Sequence, residues 1–475
     1  MEKGVYKMTG RDIFRGGISV EKGGMRKSVF LFLLPFLFPL FFSSLAVHAA
    51  APPALQDLIG EKEEVFDKLK AEEFLLPKDP LRALFRWTSD KRTEARYPVY
   101  RDYITLKYYE FDPAEVKFLF REDGALESIF ISIYNRGDMG EVSEEQFQKM
   151  VDDLDARITD FAGDGGREQK AKLTAKVVNR QKVWIRDGRI AYIMRWSSTG
   201  RGRSFQSEYI QLVIERFDPN RDPRRESLVS TDRRDVKKGK ALTDNIVKEE
   251  DGTVFIDNIP MVDQGEKGYC AVAVGERMMR YFGNENVNQH VLAQLAGSTE
   301  DGTRRDFMVA ALKRIGVKFG VRARERYVWN ESVKDVERTV GRYNSKARKM
   351  KKDKISMVVR NRMVYWNETL EQMDLDVLRA MRLGEKSDYR KFQTTLREYV
   401  NKGIPVIWCV TLGIVPEENL SQARGGHMRL LTGYNEKTST VVYSDSWGAG
   451  HEKKTMPMDD AWVITDAVLT LEPRK

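Results

Sequence analysis

Gln264, Cys270, His427 and Asp445 are the residues whose types and order could perform nucleophilic chemistry. Cys270 lies in Gly268-Tyr-Cys-Ala-Val-Ala-Val-Gly275. Gly265 and Gly268 keep the approach irregular, while Ala271, Val274 and Met278 recur at the spacing of one buried helical face. A helix is therefore expected to start at or just before the cysteine. Unpaired N–H groups and the positive end of a helix dipole favour the thiolate, the nucleophilic form. Gln264 stands six residues earlier, close enough for its amide N–H and the Cys270 backbone N–H to meet one developing oxyanion. Taken singly, Cys270 reads more readily as a small buried hydrophobe, so the assignment depends on what else the chain supplies.

A base is the next requirement. Of the four histidines, His48 falls in an N-terminal apolar run, His290 in a helical stretch and His451 in a polar, Gly-rich turn. His427 follows Arg424-Gly425-Gly426 and opens a strand-like run. Its ring is expected at a sheet edge, where it could face the thiolate, with Gly426 in support. Asp445 lies 18 residues on, at the end of the next strand-like run, where its carboxylate could fix the imidazole. Three runs, 404–411, 428–433 and 440–444, must frame the histidine.

In order and spacing this set resembles the papain-like cysteine peptidases, and within them the C39-like group. The resemblance is carried by Gln264 six residues before Cys270, then His427, then Asp445-Ser446-Trp447-Gly448 where papain-type enzymes have Asn-Ser-Trp-Gly. The Cys-to-His separation of 157 exceeds the roughly 130–150 typical of papain and cathepsins. Tyr269-Cys270-Ala271 lacks the Trp that follows the papain cysteine, and Asp replaces Asn; both departures occur in the C39-like pattern. The resemblance implies Gln264 as oxyanion donor, Cys270 as nucleophile, His427 as base, Asp445 as its orienter and Trp447 as a shield over the His–Asp bond. It covers about residues 256–473.

The chain has 475 residues, 41% hydrophobic and 32% charged, which suits two or three globular domains. Residues 29–47 form an apolar run broken by Pro35 and Pro39, preceded by Met25-Arg26-Lys27 and followed by Val47-His48-Ala49. This reads as a secretory signal cut after Ala49 in a secreted or periplasmic protein, with no stable membrane insertion afterwards; an uncleaved anchor is the alternative. Residues 1–49 hold seven Lys/Arg and three Asp/Glu, so the formal charge of +9 falls to +5 in the mature chain. That mild excess argues against nucleic acid as partner. Two cysteines exclude a disulfide-stapled scaffold, and Cys409, in an apolar strand-like run, reads as packing. No cofactor or metal is expected; the expected partner is a protein or peptide substrate.

The expected fold class is α+β: a papain-like, C39-like peptidase domain preceded by a separate two-layer α+β domain. In the first domain, 50–217, helical spacing covers 55–74 and strand-like runs cover 116–120 and 126–134. A capping-box start at Ser143 opens a helix to about Phe161, and strands follow at 177–186, 189–196 and 205–215, with Asp187-Gly188 as a hairpin turn. No chemistry is apparent there, and its carboxylates read as solvated. Residues 218–250 read as a charged linker; 218–240 hold eight Lys/Arg and five Asp/Glu. Residues 251–475 form the peptidase-like domain, with a helical insertion at about 321–397 that includes a basic stretch, 342–360. Two other readings stay open: acyl transfer of the transglutaminase type, and a peptidase-like binding module without activity.

Overall fold

In a computed structural model the described residues are 7–8, 52–60, 64–74, 81–97, 105–172, 178–200, 202–225, 237, 240–265, 268–284, 287–299, 302–316, 319–330, 332–418, 420 and 424–474. The apolar run 29–47 and the cut after Ala49 lie outside them. Among the described residues no helix is long and apolar enough to cross a membrane.

Two eight-stranded antiparallel sheets organise the molecule. The first comprises β1 (Arg86–Trp87), β2 (Glu94–Tyr97), β3 (Glu115–Phe120), β4 (Leu126–Asn135), β5 (Arg167–Lys172), β6 (Val178–Arg186), β7 (Ile190–Thr199) and β8 (Gln206–Arg216), in the order β1-β2-β3-β4-β8-β7-β6-β5. Helix α5 (Glu144–Ala162) covers one face, burying Phe147, Val151, Leu154 and Ile158 at helical spacing. Its N-terminus is the expected capping box: the Ser143 hydroxyl accepts from Gln146 N–H, and the Gln146 side chain accepts from Ser143 N–H. The stretch 55–74 is three short helices, α1 (Leu55–Ile59), α2 (Val65–Lys68) and α3 (Ala71–Phe74), rather than one. The C-cap Gly60 lies at φ 80°, a left-handed conformation that ends the first of them. Just after β4 comes the single turn α4 (Arg136–Met139).

The second sheet comprises β9 (Ile246–Lys248), β10 (Thr253–Ile256), β11 (Val321–Val328), β12 (Val406–Leu412), β13 (Gly425–Asn435), β14 (Thr440–Ser444), β15 (Lys454–Pro457) and β16 (Thr465–Pro473). Its main path runs β9-β10-β13-β12-β16-β11, with β14 on the other side of β13 and β15 beyond it. Helices α6 (Cys270–Tyr281), α7 (Gln289–Ala296) and α8 (Arg305–Gly316) pack together beside it, and α9 (Val333–Lys349), α10 (Trp366–Glu371), α11 (Leu375–Arg382) and α12 (Lys386–Val400) follow β11. Two sequence expectations shift here. Strand β9 sits in the stretch read as linker and is hydrogen-bonded to β10. Strand β11 opens the stretch read as an insertion, yet it is the sheet's edge partner of β16; its alternating charges, typical of a half-exposed edge, hide it from an apolar pattern.

Strand alternation gives the first sheet two different faces. Val116 and Phe118 join its own core with Ile210 and Leu212, while Glu115, Lys117, Gln211 and Ser197 are buried on the opposite side. That polar face meets the second domain: Ser197 Oγ accepts from Gln294 at 2.8 Å, and Asn288 donates to Gln211 at 3.3 Å. Tyr209 from β8 is packed into the second domain's core. The expectation of solvated carboxylates fails there because the neighbouring domain covers that face and the sheet's own cations pair with them. Glu115 meets Arg96 at 2.6 Å and Lys117 at 3.5 Å, all three buried.

Candidate active site

Helix α6 begins at Cys270, with Tyr269 as N-cap. The apolar positions that predicted the helix face inward, and the thiol is 5% exposed. Arg277, two turns along, ties the helix to the sheet: it donates to the Pro260 carbonyl at 2.9 Å, the Asp445 carbonyl at 2.8 Å and Ser444 Oγ at 2.6 Å. Burial lowers its pKa to about 10, still charged at neutral pH. The nucleophile's helix and the aspartate's corner are therefore fixed by one buried guanidinium.

His427 is the third residue of β13, paired with Val410 of β12, and wholly buried. Strand β13 is interior to the sheet, contrary to the expected edge, but β14 pairs with it only from Leu430 onward. The strand's first residues thus keep one open flank, and that is where the ring is used. Its Nε2 lies 3.0 Å from Asp445 Oδ1. Cys270 is the other group that favours the charged form of the ring, and Nδ1 is buried without a hydrogen-bond partner. Burial pushes the imidazolium down, but the hydrogen bonds and charges of Asp445 and Cys270 outweigh it, so the His427 pKa is raised. Trp447 stacks on the imidazole with centroids 4.4 Å apart and planes 18° apart. Gly426 pairs with Thr411 immediately before the histidine.

Asp445 follows the end of β14 and is fully buried. Burial alone would raise its carboxyl. The Arg429 guanidinium and the His427 hydrogen bond overcome this and hold it well below the usual carboxylate range. Arg429 Nε donates to Asp445 Oδ1 at 2.7 Å, and its Nη1 donates to Glu417 Oε2 at 2.8 Å, where Tyr443 Oη also donates at 2.9 Å. Sequence reading missed Arg429 and Glu417. The available signal was period two: Arg429 stands two residues after His427 on the same strand face.

Gln264 is also buried. Its backbone N–H donates to the Ser446 carbonyl at 2.9 Å, binding the loop before Cys270 to the turn that carries Asp445 and Trp447. All six residues named from the sequence, Gln264, Cys270, Gly426, His427, Asp445 and Trp447, thus belong to one connected region. Cys409, on β12, is free, buried and pushed upward by burial, as a packing residue would be. Among the described residues no group of three or more His, Cys, Asp or Glu side chains is arranged to hold a metal.

A helix that opens on cysteine, packed against an antiparallel sheet bearing histidine and aspartate, defines a cysteine-peptidase-like domain. The family comparison agrees: residues 256–467 match the model of the Peptidase_C39 like family. No curated protein matches the chain.

Proposed function

We propose that the protein is a thiol peptidase that hydrolyses peptide bonds through Cys270, His427 and Asp445. The carrying observation is the His427 Nε2–Asp445 Oδ1 contact of 3.0 Å under the Trp447 ring, with Cys270 among the groups that raise the pKa of the same imidazole. In this mechanism His427 Nδ1 takes the Cys270 proton and Sγ attacks the peptide carbonyl carbon. The oxyanion is met by the Gln264 amide and the Cys270 N–H at the helix start. His427 then gives its proton to the leaving amine as the C–N bond breaks. Water, deprotonated by His427, attacks the thioester, and the carboxylic acid and free thiol are released. Asp445 keeps Nε2 protonated and the ring oriented; Arg429 keeps Asp445 ionised.

The secreted or periplasmic location belongs to the same proposal, and N-terminal sequencing of the mature protein tests it against a start at Ala50. For the activity, residues 50–475 are incubated with a mixed peptide library beside Cys270→Ala. Products that appear with the former and not the latter support hydrolysis, and an amine acceptor incorporated faster than water attacks would instead indicate acyl transfer. Absence of both reactions leaves the domain as a binding module.

A further inference from the structure

The first domain places two arginines directly opposite each other. Arg86 on β1 and Arg96 on β2 are register partners, and like charges facing each other across an antiparallel pair are destabilising unless an anion intervenes. Within the sheet Arg96 is held by Glu115 at 2.6 Å; the anion that both arginines approach from the second domain is Asp263, fully buried and adjacent to Gln264. Arg86 Nη2 hydrogen-bonds Asp263 Oδ2, and Arg96 Nη1 lies 4.0 Å from Oδ1. Oδ1 also accepts from Gly265 N–H at 2.9 Å, closing a turn around Gln264. Gly265 holds φ 76°, and a Cβ there would come within 2.9 Å of Arg96 Nη2, so the turn is pressed against the guanidinium. The far side of the loop is held as well: a Cβ on Gly137 would fall 2.1 Å from the Tyr269 hydroxyl. The clamp reaches the triad's corner too, since Asp263 Oδ2 and Arg86 Nη2 lie 2.8 and 3.7 Å from where a Gly448 Cβ would stand.

We infer that the N-terminal domain is part of the catalytic unit, with Arg86 and Arg96 as positioning residues that hold the Asp263–Gly265 turn and thereby aim the Gln264 amide. The inference rests on the proposed peptidase reading for its kinetic consequence, though not for its structural one. A buried carboxylate that loses its hydrogen-bonded cation and keeps only Arg96 at 4.0 Å is driven toward water or a proton, and either response pulls the turn away from the Ser446 carbonyl that Gln264 N–H now meets.

The test uses residues 50–475 and Arg86→Met, chosen because Arg86 is 28% exposed whereas Arg96 is 4% exposed and also pairs with Glu115. Hydrogen exchange is measured on the peptide spanning 262–272 and on a β12 peptide as control. Arg86→Met should speed exchange of the loop peptide at least about tenfold and leave β12 unchanged. It should lower kcat roughly ten- to a hundredfold with KM within about twofold, as misplacing an oxyanion donor does, and Arg86→Lys should recover most of both. In an Asp263→Asn background, where no charge needs compensating, adding Arg86→Met should change loop exchange less than about twofold. Unchanged loop exchange in Arg86→Met overturns the inference. So does an equal increase in the β12 peptide, which would mean general loosening. Faster loop exchange in a protein with no Cys270-dependent hydrolysis would sink the peptidase reading while leaving the clamp standing.

Discussion

Two buried histidines each face a buried carboxylate. His427 meets Asp445 at 3.0 Å, and His290, near the start of α7, lies 3.5 Å from Glu115 of the first domain. Both carboxylates are shared with an arginine, Arg429 in one case and Arg96 in the other. The difference lies in what else touches the ring. His427 has the Cys270 thiol and a Trp447 stack, whereas His290 has Phe130 stacked at 6.3 Å and the edge of Tyr269 at 6.2 Å. A histidine–carboxylate pair is therefore no mark of catalysis by itself. In one place it belongs to the proposed catalytic set; in the other it is part of the seam between domains.

The widest separation between the two pairs is expected in turnover. His427→Ala and Cys270→Ala should each lower kcat/KM at least about 10³-fold, because triad members act as a unit. His290→Gln, measured in the same peptide assay, should stay within about threefold of the parent. A loss at His290 matching that at His427 would break the comparison.

Alkylation kinetics, read by mass spectrometry of tryptic peptides, sharpen it next. Iodoacetamide near neutral pH should label Cys270 at least about tenfold faster than Cys409, whose thiol is pushed up by burial and only 1% exposed. His427→Ala should slow Cys270, since the thiolate loses its imidazolium partner, and His290→Gln should leave the rate unchanged. Equal labelling of the two cysteines would mean that the Cys270–His427 pair does not function.

Stability against pH gives a third, smaller contrast. Asp445 is held below its unfolded value, so its contribution is complete above roughly pH 4 and is lost as pH falls. Asp445→Asn should cost about 3–5 kcal/mol at pH 7, because it removes one of the two carboxylates that hold buried Arg429, and the penalty should shrink below about pH 4. His427 is raised above its unfolded value, so its contribution is complete below roughly pH 6.5 and is lost as pH rises. The destabilisation by His427→Ala should accordingly be larger at pH 5 than at pH 9. Urea unfolding of each variant from below about pH 4 up to pH 9 checks both signs, and a pH-independent penalty for either would refute its charge assignment.

The legible parts of the sequence were those governed by local chemistry. The capping box at Ser143 was readable because both partners are three residues apart, and the 178–199 hairpin because Asp187 and Gly188 take positive φ. The Cys270 helix start and the strands around His427 were equally readable from period and glycine placement. The unread parts depend on partners far away in sequence. Nothing near Glu115 or Lys117 announces that a second domain will bury them, so polar residues at alternate positions of β3 pass for a wet face. Arg429 was passed over for the same reason: a lone arginine in a strand looks like surface until Asp445 and Glu417 arrive from other segments to neutralise it.

The pairing of Arg86 with Asp263 spans 177 positions of chain, and that gives the molecule a timetable. Contacts between distant segments close late because the intervening chain must first be ordered. A polypeptide emerging N-terminus first can complete its first sheet, with Arg96 already paired to Glu115 and Arg86 opposite it, before the loop that carries Asp263 has been made. On this view the surroundings of the Cys270 thiol are completed last, once both halves are in place. In refolding, fast Cys270 alkylation should lag behind formation of either sheet; reactivity that appears with the first secondary structure would contradict that order.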